Sequence, residues 1–545
     1  MTQQRLVGLG IAVLTFFVVM SNQREVGIAR DETVYFSAGS RYAEWWDRAV
    51  TGKGINQKGI TDYWGGIGGG NNAEHPSLVK TLMGASHKIF HDKLHILDEL
   101  TAFRLPGALF AALVVFLVFS MTLAIWGFAE ALLAAVCMLL LPRAIFHEGL
   151  ACFDAPIMAM WFLTIFAYWK CLDGRRFPVE VGAAFGLALA TKHNAVLLPL
   201  ALGLHYMIVG WRAGQLRGLF LHRWRIIVSL IVLGPLVLFV LWPWLWLAPI
   251  QHTREWLAFH MHHVHYNFEY LGHNWNAPRF PWHVALVTTL FTVPVSTLAG
   301  ALTGIGVWIG KWRAKSSPDP ERMPALLLGI SAAASMGPFF LGSTPIFGAE
   351  KHWMPALPTL CIAAGVGGIW AARQAARYLA FVRPMAEATA QKIAFALVAG
   401  TMVLAAATEA VDAQPYALTW YNSLAGGAPG GADRGMNRQF WGVSARGVLP
   451  FIQWMPPGSV YSHDASPAWG WYMRLGELSR AYPDSGGEFN GGIERSQYAL
   501  VIHEMHFNRH DYLIWRSYGT VQPVFVLRSD GVPIVSVYKR TPQAR

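Results

Sequence analysis

Apolar runs long enough to cross a bilayer recur from about residue 6 to residue 411. An α-helix needs roughly 20 predominantly apolar residues to span the hydrocarbon core. The first run covers about 6–20. Others follow at about 103–126, 128–145, 154–172, 179–191, 195–211, 226–247, 283–310, 324–342, 353–371 and 393–411. About eleven transmembrane helices are therefore expected. Between the first two runs, residues 21–100 mix apolar and polar positions. There 33–49 and 77–90 read as helices lying on the membrane surface, and the glycine-rich 64–72 as the loop between them. After residue 411 the pattern changes. Runs at 459–462, 498–502, 521–527 and 533–538 read as strands, with Ser529-Asp530-Gly531 as a hairpin turn. The reading is a polytopic α-helical membrane domain, 1–411, followed by a small α/β domain, 412–545. No internal repeat or low-complexity tract is present.

Composition agrees. Of 545 residues, 54% are hydrophobic and only 14% charged, against about a quarter charged in soluble proteins. A net charge of +11 would suit nucleic acid, but the bases gather in short loops between apolar runs, as the positive-inside rule predicts. With the N-terminus inside, the basic loops at 175–176, 212–225, 311–322 and 373–392 all fall on the cytoplasmic side. The odd span count then sends 21–100 and the C-terminal segment outside. Val26-Gly27-Ile28-Ala29 is a weak match to a signal-peptidase site, and retention of the first run as a helix is the preferred reading. Four cysteines (Cys137, Cys152, Cys171, Cys361) lie far apart in or beside apolar runs, so neither a disulfide framework nor a zinc motif is indicated.

Ionisable residues at span ends are functional candidates because charge in or beside a membrane is costly. On the outer side they are Asp31 and Glu32 after the first span, Glu74, His75 and Lys80 in the first outer segment, and His147, Glu148 and Asp154 between later spans. Lys192 with His193, and Glu350, Lys351 and His352, complete the set, and Arg104 sits at the outer end of the second span. Each has an ordinary explanation: carboxylates cap helix N-termini and lysines snorkel to the interface. Together they place carboxylates and cations at the outer ends of several helices, where they could converge. A carboxylate can take a proton from an attacking hydroxyl, and cations stabilise charge on a departing phosphate. The 248–282 loop carries six histidines, His265 among them, in no standard zinc spacing. No Walker motif is present, and Gly65–Gly70 fails the G-x-G-x-x-G pattern at Asn71.

These residues carry a family resemblance. The chain resembles the GT-C superfamily of integral membrane glycosyltransferases, specifically the protein O-mannosyltransferases (family 39) and the aminoarabinose lipid A transferases (family 83), over about 1–411. Asp31-Glu32 followed by Tyr35 matches the acidic pair of the family's first outer loop. Glu74-His75-Pro76-Ser77-Leu78-Val79-Lys80 resembles the H-P-P-x-x-K-like element of the mannosyltransferases and the E-K-P-P element of the lipid A enzymes. Asp154 matches a second acidic position, Thr191-Lys192 a lysine after a small-residue helix, and Lys351-His352 a basic position before a late helix. The chain departs at Ser77, at His75 and at Val34, where the family has proline, lysine and arginine. Tyr421–Gly427 and Phe440-Trp441-Gly442 resemble a segment of bacterial family-39-like proteins to which no chemistry attaches. Trp45-Trp46-Asp47 looks like an oligosaccharyltransferase signature but lies in the wrong part of the chain, and reads as interfacial aromatics.

The resemblance implies transfer of a sugar from a polyprenyl-phosphate donor to an extracytoplasmic hydroxyl of protein, lipid A or glycan, with inversion, in a bacterial inner membrane. Asp31, Glu32 and Asp154 are the expected catalytic residues. His75, Lys80, Arg104, Lys192, His193, Lys351 and His352 are expected to bind lipid phosphate or substrate. A divalent metal on Glu74 and His265 is a further expectation, and no nucleic acid is involved. The rival reading is a transporter or flippase of lipid-linked saccharides. Duplicated halves and broken midplane helices would mark such a protein, and the chain shows no duplication.

Overall fold

The computed structural model describes residues 3–172, 177–212, 224–265, 267–319, 321–383 and 385–541. The basic residues Arg175 and Arg176 and most of the 212–225 loop lie outside the described residues.

Each of the eleven apolar runs is helical. Among the described residues, six helices are long and apolar enough to cross a membrane: Gln3–Asn22, Glu99–Ile125, His193–Arg212, Trp224–Leu241, Met354–Val382 and Glu387–Asp412. The run at 128–145 is two helices, Phe128–Leu139 and Pro142–Glu148, bent by 67°. Proline at the first position of the second helix ends the preceding ladder and starts the new one. The run at 283–310 is likewise split, into Val284–Thr292 and Val295–Arg313, at Pro294. Asp154–Cys171, Val179–Leu189 and Pro324–Met336 fill the remaining runs. The protein is an integral membrane protein. Its main core gathers Val114–Met121, Ala131–Met138, Ile157–Ile165 and Cys361–Ala364.

The segment 21–100, expected from sequence to be the first outer segment, holds its two helices at slightly different bounds, Arg30–Val50 and Leu78–Ser86. The second continues as a π-helical turn, His87–Lys93. Asp98 caps Glu99–Ile125 by accepting from Thr101 N at 2.9 Å. The two surface helices touch backbone to backbone: a Cβ on Gly84 would lie 1.9 Å from Gly39 O, and one on Gly39 would lie 2.6 Å from Lys80 O. Only glycine permits that approach.

The C-terminal strands form a four-stranded sheet in the order Val460–Tyr461, Tyr498–Ile502, Val532–Lys539, Phe525–Ser529, the first pair parallel and the others antiparallel. The strand expected at 521–527 begins only at Phe525, two residues after Pro523, which has no N–H for the ladder. Asp530 and Gly531 form the hairpin with φ of 47° and 77°, the backbone of a type I′ turn. Tyr498–Ile502 is buried at every position because both sheet faces are covered. Ala499 and Val501 pack under the helix Asn508–Tyr518. Tyr498, Leu500 and Ile502 join a core that includes Val26, Ile28 and Phe36 of the first outer segment. The C-terminal region and the first outer segment therefore share one hydrophobic core.

Candidate functional site

The helix Arg30–Val50 begins where the chain leaves Gln3–Asn22, and two sets of contacts hold that junction. On the side of the helix Glu99–Ile125 is a fully buried ion pair between Glu32 and Arg104. Glu32 accepts from Arg104 at 2.7 and 2.8 Å, from Ala29 N at 2.8 Å and from Ala151 N at 2.7 Å. Arg104 also donates to the carbonyls of Gln23, Val26 and Gly27. On the C-terminal side, Ile28 N donates to Tyr472 Oη at 2.8 Å, Arg30 N to Trp441 O at 3.0 Å, and Arg30 pairs with Asp464 at 2.7 Å. Burial opposes the Arg30 charge, but Asp464 and Asp31 raise its pKa above the ordinary value.

This junction sets Asp31 on the wall of a cavity of about 1130 Å³. The cavity is lined by Arg30, Asp31, Tyr35, Glu74, His75, Asp154, Lys192, His193, His260, His263, Lys351, His352, Phe440, Trp441, Asp464 and Glu504, with Glu269 and the Gly68–Gly70 turn. Of the residues singled out from sequence it brings together Asp31, Glu74, His75, Asp154, Lys192, His193, Lys351 and His352. Glu32, Lys80, Arg104 and His265 are not among its lining residues. Lys80 is fully buried and donates to Asn72 O, Asn72 Oδ1 and His75 O at 2.5, 3.1 and 2.9 Å. It ties down the turn carrying Glu74 and His75, and burial pulls its pKa down to about 7.

Inside the cavity the charges are arranged unequally. Asp154 and Lys192 form a buried pair at 2.6 Å. Lys351 is buried with Nζ 3.9 Å from the Trp441 ring centroid, a cation–π contact. Burial lowers its pKa, while Asp31 and Asp154 favour its charge. Neighbouring Glu350 faces away, bonded to Arg143 at 2.8 Å and His147 at 3.2 Å. Although burial works the other way, Arg143 and His147 hold its carboxyl at about 2. This buried pair fixes the turn that presents Lys351. Asp31, by contrast, has its nearest cation, Arg30 Nε, at 3.7 Å, and its side chain is 30% exposed. It faces the cavity with only this longer ion pair, while Arg30 bonds Asp464 at 2.7 Å.

Three imidazoles form a neutral wall. His193 and His260 stack at 3.7 Å, and His75 lies 5.7 Å from His260. Burial lowers the pKa of His75 and His352, and brings that of His260 to about 4. The other loop histidines are scattered: His252 stacks on Trp244 at 3.8 Å, and His273 is exposed at the start of the strand His273–Trp275. Glu74 accepts from Gly68 N at 3.0 Å and Asn72 Nδ2 at 2.9 Å, one bond to each oxygen. Among the described residues, no group of three ligand atoms gathers around Glu74 and His265.

Asp464, Glu504 and Glu269 enter the cavity without having been singled out from sequence. They lie in polar stretches where an acidic residue is unremarkable, and only the tertiary fold turns them inward. Burial, with Asp464 and Glu269 nearby, raises the Glu504 carboxyl well above the usual range. Trp441 had a signal, the Phe440-Trp441-Gly442 segment, but its use as a platform for Lys351 needs the fold.

Residues 74–244 match the family model described as dolichyl-phosphate-mannose-protein mannosyltransferase. No curated protein sequence matches the chain. Among solved structures, ArnT from Cupriavidus metallidurans bound to undecaprenyl phosphate aligns with a TM-score of 0.52 and 17% identity, over 98% of this chain and 97% of that one. The archaeal oligosaccharyltransferase AglB from Archaeoglobus fulgidus, in complex with an inhibitory peptide and a dolichol-phosphate, aligns with a TM-score of 0.50 and 11% identity, over 97% and 74%. At these identities the likeness is one of fold. The chain has the GT-C fold that the resemblance read from the sequence implied.

Proposed function

We propose that this GT-C chain is a glycosyltransferase that moves a sugar from a polyprenyl-phosphate carrier to an acceptor hydroxyl. The observation that carries the reading is the placement of Asp31: a partly exposed carboxylate whose ion-pair partner, Arg30, stands off at 3.7 Å and is bonded more closely to Asp464, in a cavity that also holds the buried side chains of Lys192 and Lys351. The family match and the fold support the same class.

In the proposed reaction the lipid phosphate lies against Lys192 and Lys351, whose charges offset the one released as it departs. Asp31 accepts the proton of the acceptor hydroxyl while its oxygen bonds to the anomeric carbon. The bond from that carbon to the phosphate oxygen breaks, polyprenyl phosphate leaves, and a single displacement inverts the centre. The transition state resembles an oxocarbenium ion. Asp154 holds Lys192 in place and orients the acceptor. Glu32, Lys80 and Arg104 act by fixing the backbone that carries Asp31, Glu74 and His75. No step runs through a metal. Residues 412–545 form a cap that completes the cavity. The site opens on the extracytoplasmic side of a bacterial inner membrane, with the N-terminus in the cytoplasm. Protein, lipid A and glycan hydroxyls are the acceptor classes to try.

The test is release of free polyprenyl phosphate from a panel of polyprenyl-phosphate sugars by purified protein with membrane extract as acceptor. Asp31→Asn is expected to lower the rate by roughly 10²–10⁴, the usual contribution of a general base, with the fold intact. A variant that transfers at wild-type rates removes Asp31 from the role. Failure of the folded wild type on every donor points instead to a transporter.

A further inference from the structure

We propose that His87, His91 and Asp92 form a binding site for one divalent cation of the zinc class, at the hinge where the first outer segment turns into the helix Glu99–Ile125. The three residues sit on the π-helical turn His87–Lys93, outside the cavity lining. The wider turn brings positions four and five apart onto one face, and such turns concentrate at functional sites. One ligand atom from each residue lies within 4.8 Å of the others. His87 Nδ1 and Asp92 Oδ2 are 3.6 Å apart, near the roughly 3.4 Å between neighbouring ligands of a tetrahedral ion with bonds of about 2.0–2.1 Å.

Two contacts orient the imidazoles as ligands. His91 Nδ1–H donates to Leu97 O at 3.0 Å, so its Nε2 carries the free lone pair. His87 Nε2 makes no hydrogen bond and lies 3.5 Å from Glu99 Oε1, and Glu99 is held by Arg474 at 3.1 Å. With Nδ1 on the metal, Nε2–H points at a fixed carboxylate, the outer-shell arrangement that sets tautomer and basicity in metal-bound histidines. His87 is buried and stacks on Phe103 at 4.1 Å and 16°, so its ring orientation is set before any ion arrives. Asp92 is half exposed, which leaves water free to complete the coordination. Two imidazoles and a carboxylate suit zinc, nickel or cobalt better than magnesium or calcium. The ion would lock the turn that follows the helix Leu78–Ser86, and the His87–Glu99 contact would carry that order to the helix Glu99–Ile125 and, through Arg474, to the helix Ser466–Arg474. This site does not depend on the glycosyltransferase reading.

The experiment uses the full chain in detergent, stripped with chelator and dialysed against Co²⁺ or Zn²⁺. Bound metal is measured by mass spectrometry and the Co²⁺ form by its visible absorption. Wild type is compared with His91→Ala, Asp92→Asn and, as a control from the histidine-rich loop, His273→Ala. One equivalent should be lost in His91→Ala and in Asp92→Asn and kept in the control, and Zn²⁺ should raise heat resistance only where that equivalent binds. Asp92 is at the surface, so its variant is expected to fold. Equal metal content in wild type and both variants, or no bound metal in wild type, overturns the site.

Discussion

Replacing Arg104 by methionine tests whether the Glu32–Arg104 pair is a structural clamp. Both side chains are fully buried, and Glu32 accepts four hydrogen bonds, two of them from Arg104. Removing one partner of a buried pair costs about 3–5 kcal/mol because the other charge is left without its counter-ion. Three backbone carbonyls also lose donors, so that figure is a lower bound. With folding stabilities of about 5–15 kcal/mol, the loss is a large share of the whole. At about 1.4 kcal/mol per factor of ten, the unfolded fraction should rise at least a hundredfold. The readouts are the monodisperse fraction in detergent and the rate of heat inactivation followed by tryptophan fluorescence. The double variant Arg104→Met/Glu32→Gln should recover part of the loss, since no bare carboxylate remains. Folded Glu32→Gln should keep near wild-type turnover per molecule. An Arg104→Met protein as heat-resistant as wild type would refute the clamp, and folded Glu32→Gln with no turnover would return Glu32 to the chemistry.

Lys351→Met should raise the donor KM about tenfold or more, since a hydrogen bond to a charged group contributes about 1.5–3 kcal/mol; an unchanged KM in steady-state release assays would separate Lys351 from the phosphate. Gly84→Val places side-chain atoms on the Gly39 carbonyl and should cost at least the 1–3 kcal/mol typical of overpacking, seen as a lower melting midpoint. Acidification should destabilise the protein. Burial pushes His260 down to about 4 from its ordinary value of 6.5, and depresses His75 and His352 as well. Between those values the unfolded chain binds more protons, so stability rises with pH from about 4 to 6.5 and is lost on the way down. Unfolding rates at pH 4.5 and 7 check this, and His260→Gln should flatten the difference.

The membrane class and the helical runs were legible because the apolar runs are long. The breaks within them were harder to see, since Pro142 and Pro294 act by where they fall in a helix that the pattern alone does not place. The C-terminal strands were readable from short apolar runs closed by Asp530-Gly531, while the helices Ser466–Arg474 and Asn508–Tyr518 were not. Asp31, Asp154, Lys192 and Lys351 could be named as site candidates because charge at a span end is costly wherever it is found. That cost does not distinguish a charge that works from one that holds the backbone. Glu32, Lys80 and Arg104 look no different in sequence from Asp31 and Lys192, and only their saturated hydrogen bonds set them apart. Asp464, Glu504 and Glu269 were invisible for the opposite reason, since acidic residues in polar stretches carry no penalty that draws notice.

The contacts joining the first outer segment to the C-terminal region have a consequence for biogenesis. Ile28 and Arg30 are held by Tyr472, Trp441 and Asp464, more than 400 positions later in the chain. A nascent chain with every span already inserted still lacks the partners that set Asp31. On the proposed function, competence would thus arrive only once residues 441–472 have been made, and a ribosome that stalls before them would leave an inserted but silent protein. If the proposed function holds, membranes would be spared a partly built enzyme consuming their carrier-linked sugars.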